Sequence, residues 1–196
     1  MIKKNELEWE TTYQASTSRH KNIYPSELVV GFVRQNYNNK LDKDTIQCLD
    51  IGCGWGNNLY FLKQEGFCCH GIDLSKTAIK HLKHDFGNNV HCGDAQNLPY
   101  KNNFLDFVID RASIMHNRRE NITLIFSEIH RVLKPGGKLF SIMRKIGNDD
   151  FLVTKFSEPE LKKELSIFNI FEINYSSFTK NHGRDIFSVY VIEAQK

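Results

Sequence analysis

What this sequence lacks narrows its class before any motif is read. It has no run of about 20 consecutive apolar residues, which excludes a membrane-spanning helix. Its opening residues, Met1-Ile2-Lys3-Lys4-Asn5-Glu6, turn acidic where a secretory signal would turn apolar, so a cytoplasmic location is expected. Cysteine is sparse and odd in number: Cys48, Cys53, Cys68, Cys69 and Cys92 contain no C-x-x-C, fall in or beside apolar runs, and read as buried reduced thiols with no metal site. No dense basic run accompanies the formal net charge of +3, so nothing in the composition supports a nucleic-acid partner. Internal repeats and low-complexity linkers are also missing.

What is present is ordinary globular composition. Hydrophobic residues make up 40% and charged residues 25% of 196 residues, enough for one core and one domain. Between Ile46 and Met143 short apolar runs alternate with helical patterns, the signature of parallel β-α units with helices on both faces of a sheet.

The first run, Thr45 to Ile51, leads through glycines into a helix over Asn57 to Glu65 that Gly66 ends. Phe67 to Ile72 forms a second strand closing at Asp73, and Ser75 is placed to cap a helix from Lys76 to about His84. A short third strand is expected at Val90 to Cys92 and a fourth at Phe104 to Asp110. Ile122, Ile125, Ile129, Val132 and Leu133 recur at helical spacing before the turn Lys134-Pro135-Gly136-Gly137, and Lys138 to Met143 reads as strand five. Beyond Gly147 come a helix over Glu158 to Leu165, opened by Ser157 and Pro159, and two strand-like runs, Ile167 to Phe178 and Asp185 to Glu193. Two successive strands imply an antiparallel edge hairpin. Ahead of the sheet, Asn5 to Gln14 and Pro25 to Tyr37 read as helices. The expected division is an N-terminal helical lid over 1–40, a binding core over 45–145 and a C-terminal sheet edge over 146–196, all in one domain.

The segment Asp50-Ile51-Gly52-Cys53-Gly54-Trp55-Gly56 sits at a strand-to-helix junction, where glycines let a ligand approach the backbone and a helix N-terminus offers free N–H groups. The spacing is G-x-G-x-G, not the G-x-G-x-x-G of dinucleotide sites, and no Lys-Ser/Thr pair makes a phosphate loop. A carboxylate just ahead of the loop repels a pyrophosphate and favours a ligand carrying an ammonium and a sulfonium. S-adenosylmethionine is such a ligand. Asp73, roughly 20 residues on, stands where a carboxylate accepts both ribose hydroxyls, and Asp94 is similarly placed for an adenine amino group.

LDIGCGWG, GIDLS, GDAQNLPY, FLDFVIDRASIMHN and EIHRVLKPGGKL together resemble, in order, the motifs of class I S-adenosylmethionine-dependent methyltransferases. The resemblance covers about Ile46 to Met143. It implies a Rossmann-like α/β fold with a doubly wound seven-stranded sheet, mostly parallel with an antiparallel C-terminal strand. It also implies cofactor contacts from Asp50, Gly52, Cys53, Gly54, Gly56 and Asn57, from Asp73 and Leu74, from Asp94 and Ala95, and from Arg111, with S-adenosylhomocysteine as the product.

Methyl transfer is an in-line displacement at an activated methyl, so the protein mainly orients, desolvates and, for a hydroxyl-like acceptor, supplies a base. His116 is the candidate base or substrate contact. Tyr13 and Arg19 are candidate lid or substrate residues; Trp9 shares Tyr13's helix face, where core packing is the commoner reason for such a pair. A small-molecule acceptor is the leading expectation. An RNA or protein methyltransferase, a cofactor-binding protein without turnover, and a nicotinamide-dependent oxidoreductase are the alternatives.

Overall fold

The computed structural model describes residues 4–15, 24–146, 153–180 and 185–196. Its frame is one sheet in the order β3-β2-β1-β4-β5-β8-β7, formed by β1 (Gln47–Ile51), β2 (Cys68–Asp73), β3 (Val90–Cys92), β4 (Leu105–Asp110), β5 (Leu133–Lys145), β7 (Ile170–Lys180) and β8 (Asp185–Gln195). The chain starts in the middle of the sheet, works outward to β3, then crosses back over β1 to β4. The β1/β4 boundary is therefore a switch point, where the chain leaves the strand ends in opposite directions and opens a crevice.

Helices cover both faces, as the β-α pattern requires. Ile122, Ile125, Phe126 and Ile129 of α5 (Arg119–Val132) pack on one face with Leu161 and Leu165 of α6 (Glu158–Leu165). The other face takes Val29 and Phe32 of α2 (Glu27–Tyr37), Leu59 and Leu62 of α3 (Asn57–Gln64), and Ile79 and Leu82 of α4 (Lys76–Phe86). The parallel strands are apolar on both sides because both sides are covered. Local signals act as expected: Ser75 Oγ accepts from Ala78 N at 3.1 Å to open α4, and Ser157 with Glu160 forms a reciprocal cap on α6.

Two features differ from the sequence expectation. The sheet has eight strands, because β6 (Lys155–Phe156) pairs in parallel with Arg144 and Lys145 at the end of β5. Strand five begins at Leu133, and the turn Lys134 to Gly137 is a bulge inside it: Leu105 opposes Leu133, yet Phe107 already opposes Lys138. The C-terminal pair forms the expected antiparallel hairpin at the sheet edge. Within it β8 slots between β5 and β7, antiparallel to both, so β7 is the outer strand at that end and β3 the outer strand at the other. Among the described residues no helix is long and apolar enough to cross a membrane.

Candidate functional site

The carboxyl ends of β1, β2 and β4 surround a cavity of about 430 Å³. Its floor is the loop after β1, where Gly52, Gly54 and Gly56 have φ of +65°, +51° and +84°. Side chains are strained there, and at all three positions they also have no room. A Cβ on Gly52 would overlap the Ser113 side chain, and one on Gly54 the Tyr13 hydroxyl. The loop is held down by its neighbour strand: Gly52 N and Cys53 N donate to Ile72 O at 2.8 and 3.1 Å.

Asp73 ties the loop to the next helix. Its Oδ2 accepts from Gly54 N at 2.9 Å and its Oδ1 from Ser75 N at 2.8 Å. Burial pushes the carboxyl above its usual range, and these backbone donors pull it back toward the charged form. Each oxygen keeps a lone pair for a further donor from the cavity. Asp94, at the far end, accepts from Gln96 N at 3.0 Å and from Gln96 Nε2.

The opposite wall is the β4 exit, Arg111 to Asn117. Buried Asp110 shapes it, Oδ1 accepting from Ser113 N at 2.8 Å and from Ile114 N at 3.0 Å. Ala112 takes φ of +60°, a left-handed backbone that costs a non-glycine residue about 1 kcal/mol and is sustained only by surrounding structure. His116 lies in this wall, and burial holds its imidazole below the usual histidine range, favouring the neutral ring that can accept a proton.

Helix α1 (Lys4–Ala15) closes the remaining side. Trp9 meets His116 edge-on with ring centroids 5.0 Å apart, and Tyr13 meets Trp55 edge-on at 5.2 Å. Trp55 in turn rests on His81 at 5.1 Å. Trp9 and Tyr13, whose shared face suggested core packing, instead line the cavity.

Of the candidates from sequence, Tyr13, Gly52, Cys53, Gly54, Asn57, Asp73, Leu74, Asp94, Ala95, Arg111 and His116 all line this one cavity. Asp50 and Gly56 do not. Asp50 is 2% exposed, one layer behind the loop, its carboxyl pushed up by burial and by the nearby Asp110 and Asp73 charges. Asn58 donates to it, and Oδ2 has no hydrogen-bond partner. Gly56 precedes α3, and its place is set by packing, since a Cβ there would overlap Leu82. Arg19 lies outside the described residues. Asn58 and Ile125 line the cavity without a sequence signal, each resembling an ordinary helix residue; Trp55 carried one, a large aromatic between two loop glycines. Among the described residues no cluster of His, Cys, Asp or Glu could hold a metal ion.

Comparison with known proteins finds similarity over the same region. Residues 49–141 match the model of a methyltransferase domain. The chain is 37% identical over 119 residues to an Arabidopsis thaliana tRNA (carboxymethyluridine(34)-5-O)-methyltransferase, covering 58% of this chain and 28% of that protein. It is 32% identical over 90 residues to an uncharacterized methyltransferase of Synechocystis, covering 45% of this chain and 42% of that protein. The chain thus spans less than half the length of these relatives. Its fold is similar to that of a Burkholderia thailandensis 1,6-didemethyltoxoflavin-N1-methyltransferase crystallised with its acceptor and S-adenosylhomocysteine. That similarity has a TM-score of 0.74 at 16% identity and covers 98% of this chain and 87% of that one.

Proposed function

We propose that this chain transfers a methyl group from S-adenosylmethionine to a small-molecule acceptor, a reading supported by the match of residues 49–141 to a methyltransferase domain. The observation that carries the reading is the convergence of the glycine loop, Asp73, Asp94 and the β4 exit on one cavity at the switch point of the sheet.

The residues fit the cofactor chemically. Gly52 and Gly54 leave backbone exposed to a ligand, and Asp73 has lone pairs for a pair of ribose hydroxyls. Leu74, Asp94 and Ala95 form the far end suited to adenine, with Cys53, Asn57 and Arg111 completing the walls. Asp50, buried one layer behind the loop and bonded to Asn58, shapes the loop from below and does not contact the ligand. Gly56 acts through the loop's shape.

S-adenosylmethionine, when bound, supplies an activated sulfonium methyl. This chain's part is to orient the acceptor on the β4-exit side, exclude water with α1, and accept a proton at the neutral His116 ring. Trp9, Tyr13 and Met115 give that side an apolar and aromatic lining suited to a small acceptor, with Arg111 the one Lys or Arg among the described lining residues. The chain is read as one domain, with 45–145 as cofactor core and 146–196 as sheet edge; of the lid expected over 1–40, α1 borders the cavity, while α2 packs in the core through Val29 and Phe32.

A second reading, an RNA acceptor, is favoured by the similarity to the plant tRNA methyltransferase. Calorimetric titration with S-adenosylmethionine, S-adenosylhomocysteine and NAD tests the cofactor: saturable binding of the sulfur ligands alone supports the reading, and binding of NAD alone overturns it. A methyl-transfer screen of small acceptors against bulk tRNA then separates the two acceptor classes.

A further inference from the structure

Helix α1 is fastened to the body of the protein through a carboxylate that methyl transfer has no use for. Glu10 Oε2 accepts from Ser75 Oγ at 2.7 Å and from Thr77 N at 3.2 Å, while Oε1 accepts from Thr77 Oγ1 at 2.6 Å and from Gln14 Nε2 at 2.9 Å. The carboxylate therefore caps the first turn of α4 from another helix, where unpaired N–H groups and the helix dipole favour negative charge. These donors hold the Glu10 carboxyl down at about 2, with the Thr77 hydroxyl the strongest cause, so it stays charged at neutral pH.

The position matters because of what Glu10's neighbours on α1 do. Trp9 rests against His116 and Tyr13 stands over Gly54, so the two residues flanking this anchor form one side of the cavity. Ser75 then joins the anchor to the cavity's acid. Its hydroxyl donates to Glu10, and its backbone N–H donates to Asp73 Oδ1 at 2.8 Å. One residue thus bonds both to the carboxylate that fastens the lid and to the carboxylate assigned above to the ribose.

We propose that Glu10 is a positioning residue that fastens α1 across the cavity, and that Ser75 couples this fastening to occupancy at Asp73. The coupling rests on the reading of the cavity as the S-adenosylmethionine site; the fastening does not. Coupling is reciprocal in binding free energy: a ligand at Asp73 protects α1, and a fastened α1 tightens the ligand's binding, which among variants of one site shows chiefly as slower release. Glu10 touches no reacting atom and acts through Trp9 and Tyr13.

Two measurements on the full chain test this: amide hydrogen exchange of residues 4–15, and stopped-flow release of S-adenosylhomocysteine. Each is made for the native protein, Glu10→Ala, Glu10→Gln and Thr77→Val. The expected result is loss of α1 protection in Glu10→Ala and release about ten-fold faster, the scale of a lost charged hydrogen-bond set. Glu10→Gln, which keeps acceptor oxygen but not charge, recovers part of both, and Thr77→Val falls between native and Glu10→Ala. S-adenosylhomocysteine raises α1 protection in the native protein and not in Glu10→Ala. Equal α1 protection in native and Glu10→Ala overturns the fastening, whatever the melting temperatures do. Lost protection with unchanged release overturns the coupling. A native protein that binds no S-adenosylhomocysteine sinks the cofactor reading and the coupling with it, while exchange in the unliganded proteins still decides the fastening.

Discussion

Ser141 Oγ on β5 donates to Asp110 Oδ2 on β4 at 2.6 Å, and both residues are fully buried. With Ser113 N and Ile114 N on the other oxygen, Asp110 has three donors, yet burial outweighs them and lifts its carboxyl from 3.8 to about 6. The neutral form is thus favoured in the folded protein. Its stabilising contribution is complete below pH 3.8 and is lost as pH rises through about 6. His70, pushed down to about 4 by burial, works the opposite way over the same window. The effect is therefore read as a difference: the stability of the native protein relative to Asp110→Asn should rise as pH falls from 7 to 5. Urea denaturation across that range checks it, and a constant difference refutes the assignment.

Gly54→Ala should destabilise the fold by about 1–2 kcal/mol, because an L-residue resists its left-handed backbone. The added methyl also overlaps the Tyr13 hydroxyl and should displace α1. The double variant Gly54→Ala/Tyr13→Ala should restore ligand access but not stability. Thermal melting with parallel titration of S-adenosylhomocysteine separates the two effects.

Asp73→Asn keeps the shape of the side chain but presents an NH₂ where one of two backbone N–H groups donates. Affinity for S-adenosylmethionine should fall about 10- to 100-fold, the scale of losing hydrogen bonds to a charged acceptor. Asp73→Ala should fall further. Unchanged calorimetric affinity in both variants would place the ligand elsewhere.

His116→Phe retains an aromatic ring for Trp9 to pack on but cannot accept a proton. If His116 is the base, turnover should drop on the order of 100-fold or more while affinity for S-adenosylhomocysteine is kept. Since burial lowers the histidine's range, native activity should persist on the acid side below the ordinary value of 6.5. A pH-rate profile breaking at or above 6.5 would assign the proton to another group.

Gly137→Ala tests the bulge in β5. A Cβ there would lie 2.9 Å from Lys134 O and 3.1 Å from Asp106 O, both backbone atoms that cannot swing aside. The cost should be about 1–3 kcal/mol, the range of overpacking, measured by chemical denaturation.

How far the fold could be read in advance depended on how local each signal was. The β1-loop-α3 and β2-α4 units were legible because Gly66, Ser75 and the apolar runs act within a few residues. The order of β7 and β8 was not, because it depends on which strand meets β5, a pairing of Lys138 with Gln195 that leaves no trace in either segment. The two-residue β6 is too short to carry a period. At the site, most cavity residues followed from strand ends. Asp50 was expected beside the ligand and stands behind the loop, buried against Asn58 of α3. Glu10 was missed because it sits among polar residues of α1 whose partners, Ser75 and Thr77, are remote in sequence.

The inserted position of β8 has a consequence for how the molecule is made. While the chain is being synthesised, β5 emerges with β4 on one flank and nothing on the other, and β7, which follows, is not its partner. Only when residues 185–195 appear can the gap be filled from both sides at once. Until then a nascent chain holds an adhesive seam of unpaired backbone, and the wait for one late strand is the step at which it is most open to aggregation or to chaperones.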